Sequence, residues 1–407
     1  MTLDVDFARA QFPAFAEPSL EGQAFFENAG GSYACGPVLD RLARFYRARK
    51  VQPYGPFEAS RLAGEEMDEA RRRMAALLGV GEDELSFGPS TTQNAYVLAR
   101  AFAGFMEKGE AIVVTDQDHE ANSGPWRRLA EEGFEIREWA IDPETGRLDP
   151  DDLAELLDET VRLVCFPHCS NVLGEVNPVV EISAIAHAAG AFVCVDGVSY
   201  APHGLPHVGR LGPDIYLFST YKTYGPHQGA MVIRRALAEM LPAQGHHFNA
   251  DIPEKRFVPA GPDHAQVAAC AGIADYWEAL AAHHGVTAER PAERAAAVHD
   301  LFRAHETALL QPLLDYLAGR EDMRLLGPAR AEDRAPTVAV ALEIPGAEAA
   351  ARLAPHGIMA GGGDFYAHRP LRAMGIGPEH GVLRMSFVHY TTAAEVERLV
   401  AALDAAL

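Results

Sequence analysis

Between residues 110 and 235 the chain alternates short, almost wholly apolar runs with stretches of helical periodicity. That alternation restricts the fold more than any other feature. The runs lie at 111–114, 162–166 and 191–195, and the helical patterns at 123–132, 149–158 and 179–189. A strand that is apolar at every position has no solvent face, so both of its sides must be covered. Helices between successive runs supply that cover, which is the pattern of a mostly parallel sheet. Runs at 215–218 and 230–233 extend it. Upstream, residues 63–79 place Met67, Ala70, Met74, Leu77 and Leu78 at helical spacing and stop at a glycine. A second helix is predicted over 91–105, opened by the capping residues Ser90, Thr91 and Thr92.

The pattern changes beyond residue 265. A long Ala-rich helical region (266–318) leads to a strand at 337–343, a Gly-rich loop at 361–363, a strand at 382–388 and a final helix at 392–406. This predicts a large α/β domain over 22–265 and a smaller α+β domain formed by 1–21 and 266–407, with a site in the crevice between them. A chain of 407 residues has ample core for both.

Charge excludes several partners. The formal net charge is −22 and no basic run occurs, so neither nucleic acid nor an anionic membrane surface is expected to bind. No apolar stretch has the length of a membrane span, and the first residues carry early acids without a signal-peptide core, so a cytoplasmic protein is expected. The five cysteines (Cys35, Cys165, Cys169, Cys194, Cys270) form neither a disulfide framework nor a zinc pattern. They are expected to be buried free thiols, with no metal site.

Three features carry chemistry. Asp196 ends the apolar run 191–195, and carboxyl ends of parallel strands face the ligand crevice. Taken alone, it could equally cap a turn. Lys222 follows the run 215–218 among Ser219, Thr220, Tyr221, Thr223 and Tyr224, before Gly225-Pro226. A lysine in such a crevice can lose its charge and act as an amine nucleophile; alone, it could be a surface loop lysine. Gly88-Pro89-Ser90-Thr91-Thr92 opens a helix, which is an anion site or a plain N-cap. Together the three read as a site for pyridoxal 5'-phosphate: an amine for the aldehyde, a carboxylate for the pyridinium nitrogen and hydroxyls for the phosphate.

The chain resembles the class V, fold-type I pyridoxal-phosphate enzymes, within the cysteine desulfurase and selenocysteine lyase group. The resemblance runs from Phe26-Glu27-Asn28-Ala29-Gly30-Gly31 to His389-Tyr390-Thr391-Thr392. Its most specific stretches are Val195-Asp196-Gly197-Val198-Ser199-Tyr200-Ala201-Pro202-His203 and Phe218-Ser219-Thr220-Tyr221-Lys222-Thr223-Tyr224-Gly225-Pro226. It implies Lys222 as the Schiff-base lysine and proton shuttle, and Asp196 as the pyridinium partner. His119 is implied as the residue stacked on the ring, and Asn171 as the neighbour of its phenolic oxygen. It further implies Thr91, Thr92 and Ser219 at the phosphate, with Ser199 and Tyr221 beside the cofactor. Arg384 would bind the substrate α-carboxylate, with Asn28 and Ala29 nearby, and a homodimer would build the site at its subunit boundary.

Departures from the family pattern bear on the reaction. The loop that carries the nucleophilic cysteine in desulfurases reads Gly361-Gly362-Gly363-Asp364-Phe365-Tyr366-Ala367-His368-Arg369-Pro370 here, and no cysteine follows Cys270. Asp364, Tyr366 and His368 become candidates for substrate selection. Tyr221 stands where desulfurases usually have histidine, Ser199 where many have glutamine, and Gly261-Pro262-Asp263 where the family often has Gly-Thr-Pro. The resemblance therefore implies a lyase acting on a cysteine-like amino acid without an enzyme persulfide. The alternatives are a class V aminotransferase or racemase, and a catalytically silent cofactor-binding scaffold.

Overall fold

The computed structural model describes residues 2–407. Its larger sheet has seven strands in the order Leu85–Gly88, Gly229–Ile233, Ile215–Ser219, Phe192–Asp196, Val161–Pro167, Ala111–Thr115, Glu135–Trp139. All neighbours are parallel except those of Gly229–Ile233, which is antiparallel to the strands on both sides. Ile112, Val114, Leu163, Cys165 and Cys194 point into one layer with Leu98, Phe102 and Trp126 of the helices Thr91–Phe105 and Glu120–Arg127. Val113, Val164, Phe166, Val193 and Val195 point into the other, beneath Glu58–Leu78, Val179–Ala188 and Ala271–His283. This double cover is why the interiors of the central strands are apolar on both faces. All five cysteines are buried and free.

The smaller sheet is antiparallel, in the order Gly361–Gly363, Val382–Ser386, Thr337–Ala341, Arg324–Leu325. Helices Pro291–Ala318, Gly346–Leu353 and Ala393–Ala406 close its core around Leu310, Leu314, Val340, Leu383 and Leu399. The last helix opens with a capping box between Thr392 and Glu395.

Some elements differ from the sequence reading. Glu135–Trp139 is an edge strand with a single neighbour, and of its five residues only Trp139 is buried, so it lacks the apolar signal. Gly361–Gly363, expected as a loop, is an edge strand whose glycines give no side-chain pattern. A Cβ on Gly362 would lie 2.0 Å from the Gly346 carbonyl oxygen, so the strand must be bare there. The region 266–318 is not continuous: helices His264–Ala269, Ala271–His283 and Pro291–Ala318 are separated by turns at Cys270 and around Gly285, with Pro291 opening the last.

His264–Ala269 and Ala271–His283 pack on Gly36–Ala48 and Glu58–Leu78. Ala24–Phe25 instead pairs in parallel with Ile358–Met359. We propose that the domain division follows this packing, with 264–283 in the larger unit and 24–26 in the smaller. Among the described residues, no helix is long and apolar enough to cross a membrane, and no group of three His, Cys, Asp or Glu side chains could hold a metal ion.

Candidate active site

A cavity of about 150 Å3 opens at the carboxyl ends of the central strands. Thr91, Thr92, His119, Asn171, Asp196, Ser199, Ser219, Tyr221 and Lys222 all line it. Asp196 is the last residue of its strand, and its Oδ1 accepts the Val198 N–H at 2.8 Å. Lys222 ends a single 3-10 turn, Thr220–Lys222, directly after the neighbouring parallel strand. Carboxylate and amine therefore emerge side by side.

Burial pushes Lys222 down from 10.5 to about 8, helped by the Arg384 cation and opposed by Asp196 and Glu27. Burial likewise pushes Asp196 up to about 6, against the Val198 N–H and the Lys222 charge. Each group is thus poised near neutrality rather than fixed as an ion. The lysine turn is braced from behind. Tyr224 adopts a left-handed backbone (φ +68°), and its hydroxyl donates to the Pro202 carbonyl and pairs with His389 Nδ1 at 3.1 Å. His389 Nε2 pairs in turn with the Tyr276 hydroxyl at 2.5 Å.

At the far end, the hydroxyls of Thr91 and Ser219 lie 2.8 Å apart, where Ser90 caps the helix Thr91–Phe105. Strand Gly229–Ile233 runs against this helix start. A Cβ at Gly229 would lie 2.4 Å from the Ser90 carbonyl carbon and 2.5 Å from Thr91 N, so only glycine fits. Hydroxyls and backbone N–H groups at a helix N-terminus suit a phosphate. His119 is the N-cap of Glu120–Arg127, and its Nδ1 accepts the Ala121 N–H at 3.0 Å. Burial, with the nearby Lys222 and Arg384, lowers it to about 3, so the ring is neutral with its proton on Nε2. Asn171 donates from Nδ2 to the Phe365 carbonyl at 2.9 Å, while its Oδ1 is buried without a partner. That unpartnered atom, the hydroxyl pair at the helix start and the lysine–aspartate pair fit pyridoxal phosphate in size and in chemistry.

Arg384 reaches the site from strand Val382–Ser386. Its Nη1 donates to the Asn171 carbonyl at 3.1 Å and its Nη2 to Glu27 Oε1 at 2.6 Å, while the Phe365 ring lies 3.7 Å from the guanidinium carbon. Asn28 is committed elsewhere: its Nδ2 donates to the Ser386 carbonyl at 3.2 Å and its Oδ1 accepts from Tyr390. The Ala29 N–H donates to Ser386 Oγ at 2.8 Å. These bonds tie both positions to the smaller sheet, and both line a small pocket together with Val198, Ser199 and Lys222.

Phe365 and Tyr366 are left-handed (φ +52° and +56°), and Asp364 Oδ1 accepts the Tyr366 N–H at 2.7 Å. The Tyr366 carbonyl accepts the Glu120 N–H at 2.9 Å, and Arg369 pairs with Glu120. His368 lies 3.4 Å from Asp364 at the rim. The Tyr366 ring sits 5.3 Å from that of His119. Sequence reasoning missed three participants: Glu27, Phe365 at the arginine, and His227, whose ring stacks on Tyr221 at 4.8 Å. His227 lies just beyond a motif already singled out and could have been found; nothing in the spacing joins Glu27 to Arg384.

The family model for class-V aminotransferases matches residues 24–274 and 293–399. An aminotransferase-like protein of Gibberella zeae is 31% identical over 100% of this chain and 99% of its own. A cysteine desulfurase of Serratia proteamaculans is 31% identical over 99% of this chain and 98% of its own. Among solved structures, the cysteine desulfurase of Thermococcus onnurineus shares the fold with a TM-score of 0.85 and 23% identity, covering 100% of this chain and 98% of that one. A cysteine desulfurase of Escherichia coli superposes with a TM-score of 0.84 and 23% identity, covering 100% and 99%. Together, the profile match across most of the chain and relatives aligned end to end make this chain a member of the class-V aminotransferase family of pyridoxal-phosphate-dependent enzymes, cysteine desulfurase-like in sequence and in fold.

Proposed function

We propose that this enzyme removes the α-proton of an amino acid and expels a β-substituent, a lyase reaction on a cysteine-like substrate without an enzyme persulfide. The observation that carries the reading is the pairing of Lys222 with Asp196 at the mouths of adjacent strands, inside one cavity with His119 and the hydroxyls of Thr91 and Ser219. Lys222 would hold the cofactor covalently, with Asp196 at its ring nitrogen and Asn171 at its ring oxygen. His119 would lie on the ring face, Thr91, Thr92 and Ser219 at the phosphate, and Ser199 and Tyr221 alongside. When bound, the cofactor supplies an electron sink for the charge left at Cα.

The protein supplies position and proton transfer. Lys222, held near pH 8 by burial, is partly neutral at physiological pH and accepts the α-proton at Nζ. Arg384 orients the carboxyl end of the substrate. The loop 364–368 lies beside the site, with the Phe365 carbonyl accepting from Asn171 and the Tyr366 ring 5.3 Å from that of His119. A persulfide relay has no thiol to use: Cys169, the cysteine lining the cavity, is 2% exposed, contacts the Gly174 carbonyl through Sγ at 3.3 Å and is pushed up to about 12. Such a thiol stays protonated and inert.

Product analysis tests the reading. With cysteine, cystine, selenocysteine and alanine supplied separately, sulfide and pyruvate should appear together from cysteine. Alanine formed from cysteine would instead require a thiol, on the enzyme or in solution, to accept the departing zero-valent sulfur, and would refute the elimination reading. The likeness to an aminotransferase-like relative supports a second reading, amino transfer to a keto acid; product formation that depends on added keto acid would select it. A homodimer is part of the proposal, supported by the exposed Tyr54 and Phe248, which line a groove together with Gly261 and Pro262. Sedimentation of the purified protein tests it.

A further inference from the structure

Among the described residues that line the cavity at Lys222, only Lys222, His119 and His227 have side chains able to carry a positive charge. Lys222 is committed to the cofactor aldehyde, and burial lowers His119 to about 3, which keeps it neutral. A phosphate monoester carries a charge of about −1.5 to −2 near pH 7. The hydroxyls of Thr91, Thr92 and Ser219 and the helix start supply hydrogen bonds, but only a fraction of a charge to set against it. His227 stands at that end of the cavity. Gly229 pairs with Gly88 in antiparallel register, so the chain running back from Gly229 to His227 passes alongside the chain running on from Gly88 to Ser90, the cap of helix Thr91–Phe105. Ser90 and His227 both line the cavity. Thr92 and His227 are exposed, whereas Asn171, Asp196 and Lys222 are buried, so the phosphate end is the open one.

We infer that His227 is a ligand of the cofactor's phosphate and meets its charge at the open end of the cavity. This rests on the placement of the phosphate at the start of Thr91–Phe105 proposed above. An imidazole offers an N–H donor in either protonation state, and a hydrogen bond to a charged acceptor is stronger than one between neutral groups. The side chain is held in position beforehand. The Thr220 N–H donates to the Gln228 carbonyl at 2.9 Å and the Thr220 hydroxyl donates to the Pro226 carbonyl, which fixes the turn carrying His227 from the lysine side. The imidazole lies flat against Tyr221, with the two ring planes 3° apart. Tyr221 is therefore the positioning residue, the platform that sets the plane of the ring, and His227 is the one that touches the ligand.

The test titrates the full chain, freed of cofactor, with pyridoxal phosphate and with pyridoxal, and reads a dissociation constant for each from the change in absorption. Pyridoxal keeps the ring and the aldehyde but lacks the phosphate. His227→Ala should weaken the binding of pyridoxal phosphate by about 10-fold or more, the range of a hydrogen bond to a charged group, and leave pyridoxal unchanged. His227→Gln keeps an N–H donor but cannot carry charge, so it should lose less than the alanine variant, again for pyridoxal phosphate alone. The two compounds differ in how freely they offer the aldehyde, and that difference cancels when each variant is compared with wild type. Variants that bind pyridoxal phosphate as tightly as wild type would overturn the inference. So would a loss shared equally by both compounds, which marks a residue that braces the fold without touching the phosphate. A wild type that binds the two compounds equally would instead overturn the placement of the phosphate itself, and the inference with it.

Discussion

The most discriminating property of the site is the protonation of Lys222, and it is measurable without knowing the substrate. Burial removes solvation from the ammonium, and Arg384 adds a like charge; Asp196 and Glu27 only partly offset them. The fall from 10.5 to about 8 corresponds to about 3 kcal/mol against the ammonium. At pH 7.5 roughly a quarter of Lys222 is then neutral, against roughly one part in a thousand for an unperturbed lysine. The expected gain in nucleophile is about 200-fold. The chain has only four lysines, Lys50, Lys108, Lys222 and Lys255, so competitive labelling of the cofactor-free protein with acetic anhydride, read by peptide mass spectrometry across a pH series, resolves each one. The Lys222 profile should have its midpoint near 8 and move upward in Arg384→Gln, which removes the repelling cation. A midpoint near 10, or no movement in that variant, would refute the electrostatic reasoning.

Three further outcomes follow from particular contacts. Lys222→Ala should abolish the lysine-linked cofactor absorption while far-ultraviolet circular dichroism stays native; retained turnover would remove this lysine from the mechanism. Gly229→Ala should destabilise the protein by about 2 kcal/mol or more and weaken cofactor retention, because its Cβ would collide with Ser90 and Thr91; denaturant melts with and without cofactor measure both. Asp118, 1% exposed and bonded to Thr115 and Asn122, is raised by burial from 3.8 to about 7. A carboxyl raised on folding gives stability at low pH that is lost as pH rises toward its folded value. Asp118→Asn should therefore gain on the wild type between pH 4 and 7, by an amount on the order of a few kcal/mol, seen in urea melts at each pH.

Legibility in the sequence followed local order. Asp196, Ser219, Lys222 and Thr91 were readable because each sits at a strand end or a helix start, where backbone geometry decides which way the residue faces; His119 came from the resemblance alone. The doubly covered sheet was readable for the same reason, since its central strands are apolar at nearly every position. The strand Glu135–Trp139 was not, because an edge strand with one solvent side carries charges. From composition 266–283 reads as part of the smaller unit, and the division we propose from packing differs because composition does not reveal which surface a helix covers. Glu27 and Arg384 are separated by 357 positions and meet only because the parallel pairing of Ala24–Phe25 with Ile358–Met359 draws the N-terminal segment to the smaller sheet. The resemblance supplied Arg384 but not the carboxylate that occupies it.

The brace behind the lysine turn sets an order of events during synthesis. The hydroxyl that steadies the left-handed backbone at Tyr224 pairs with His389, 165 positions further along. A ribosome that has delivered the whole central sheet has delivered the reactive amine without its final support. The pocket matures only when the last segment of chain docks, so a protein truncated short of His389 would keep every group proposed to hold the cofactor and still hold them loosely.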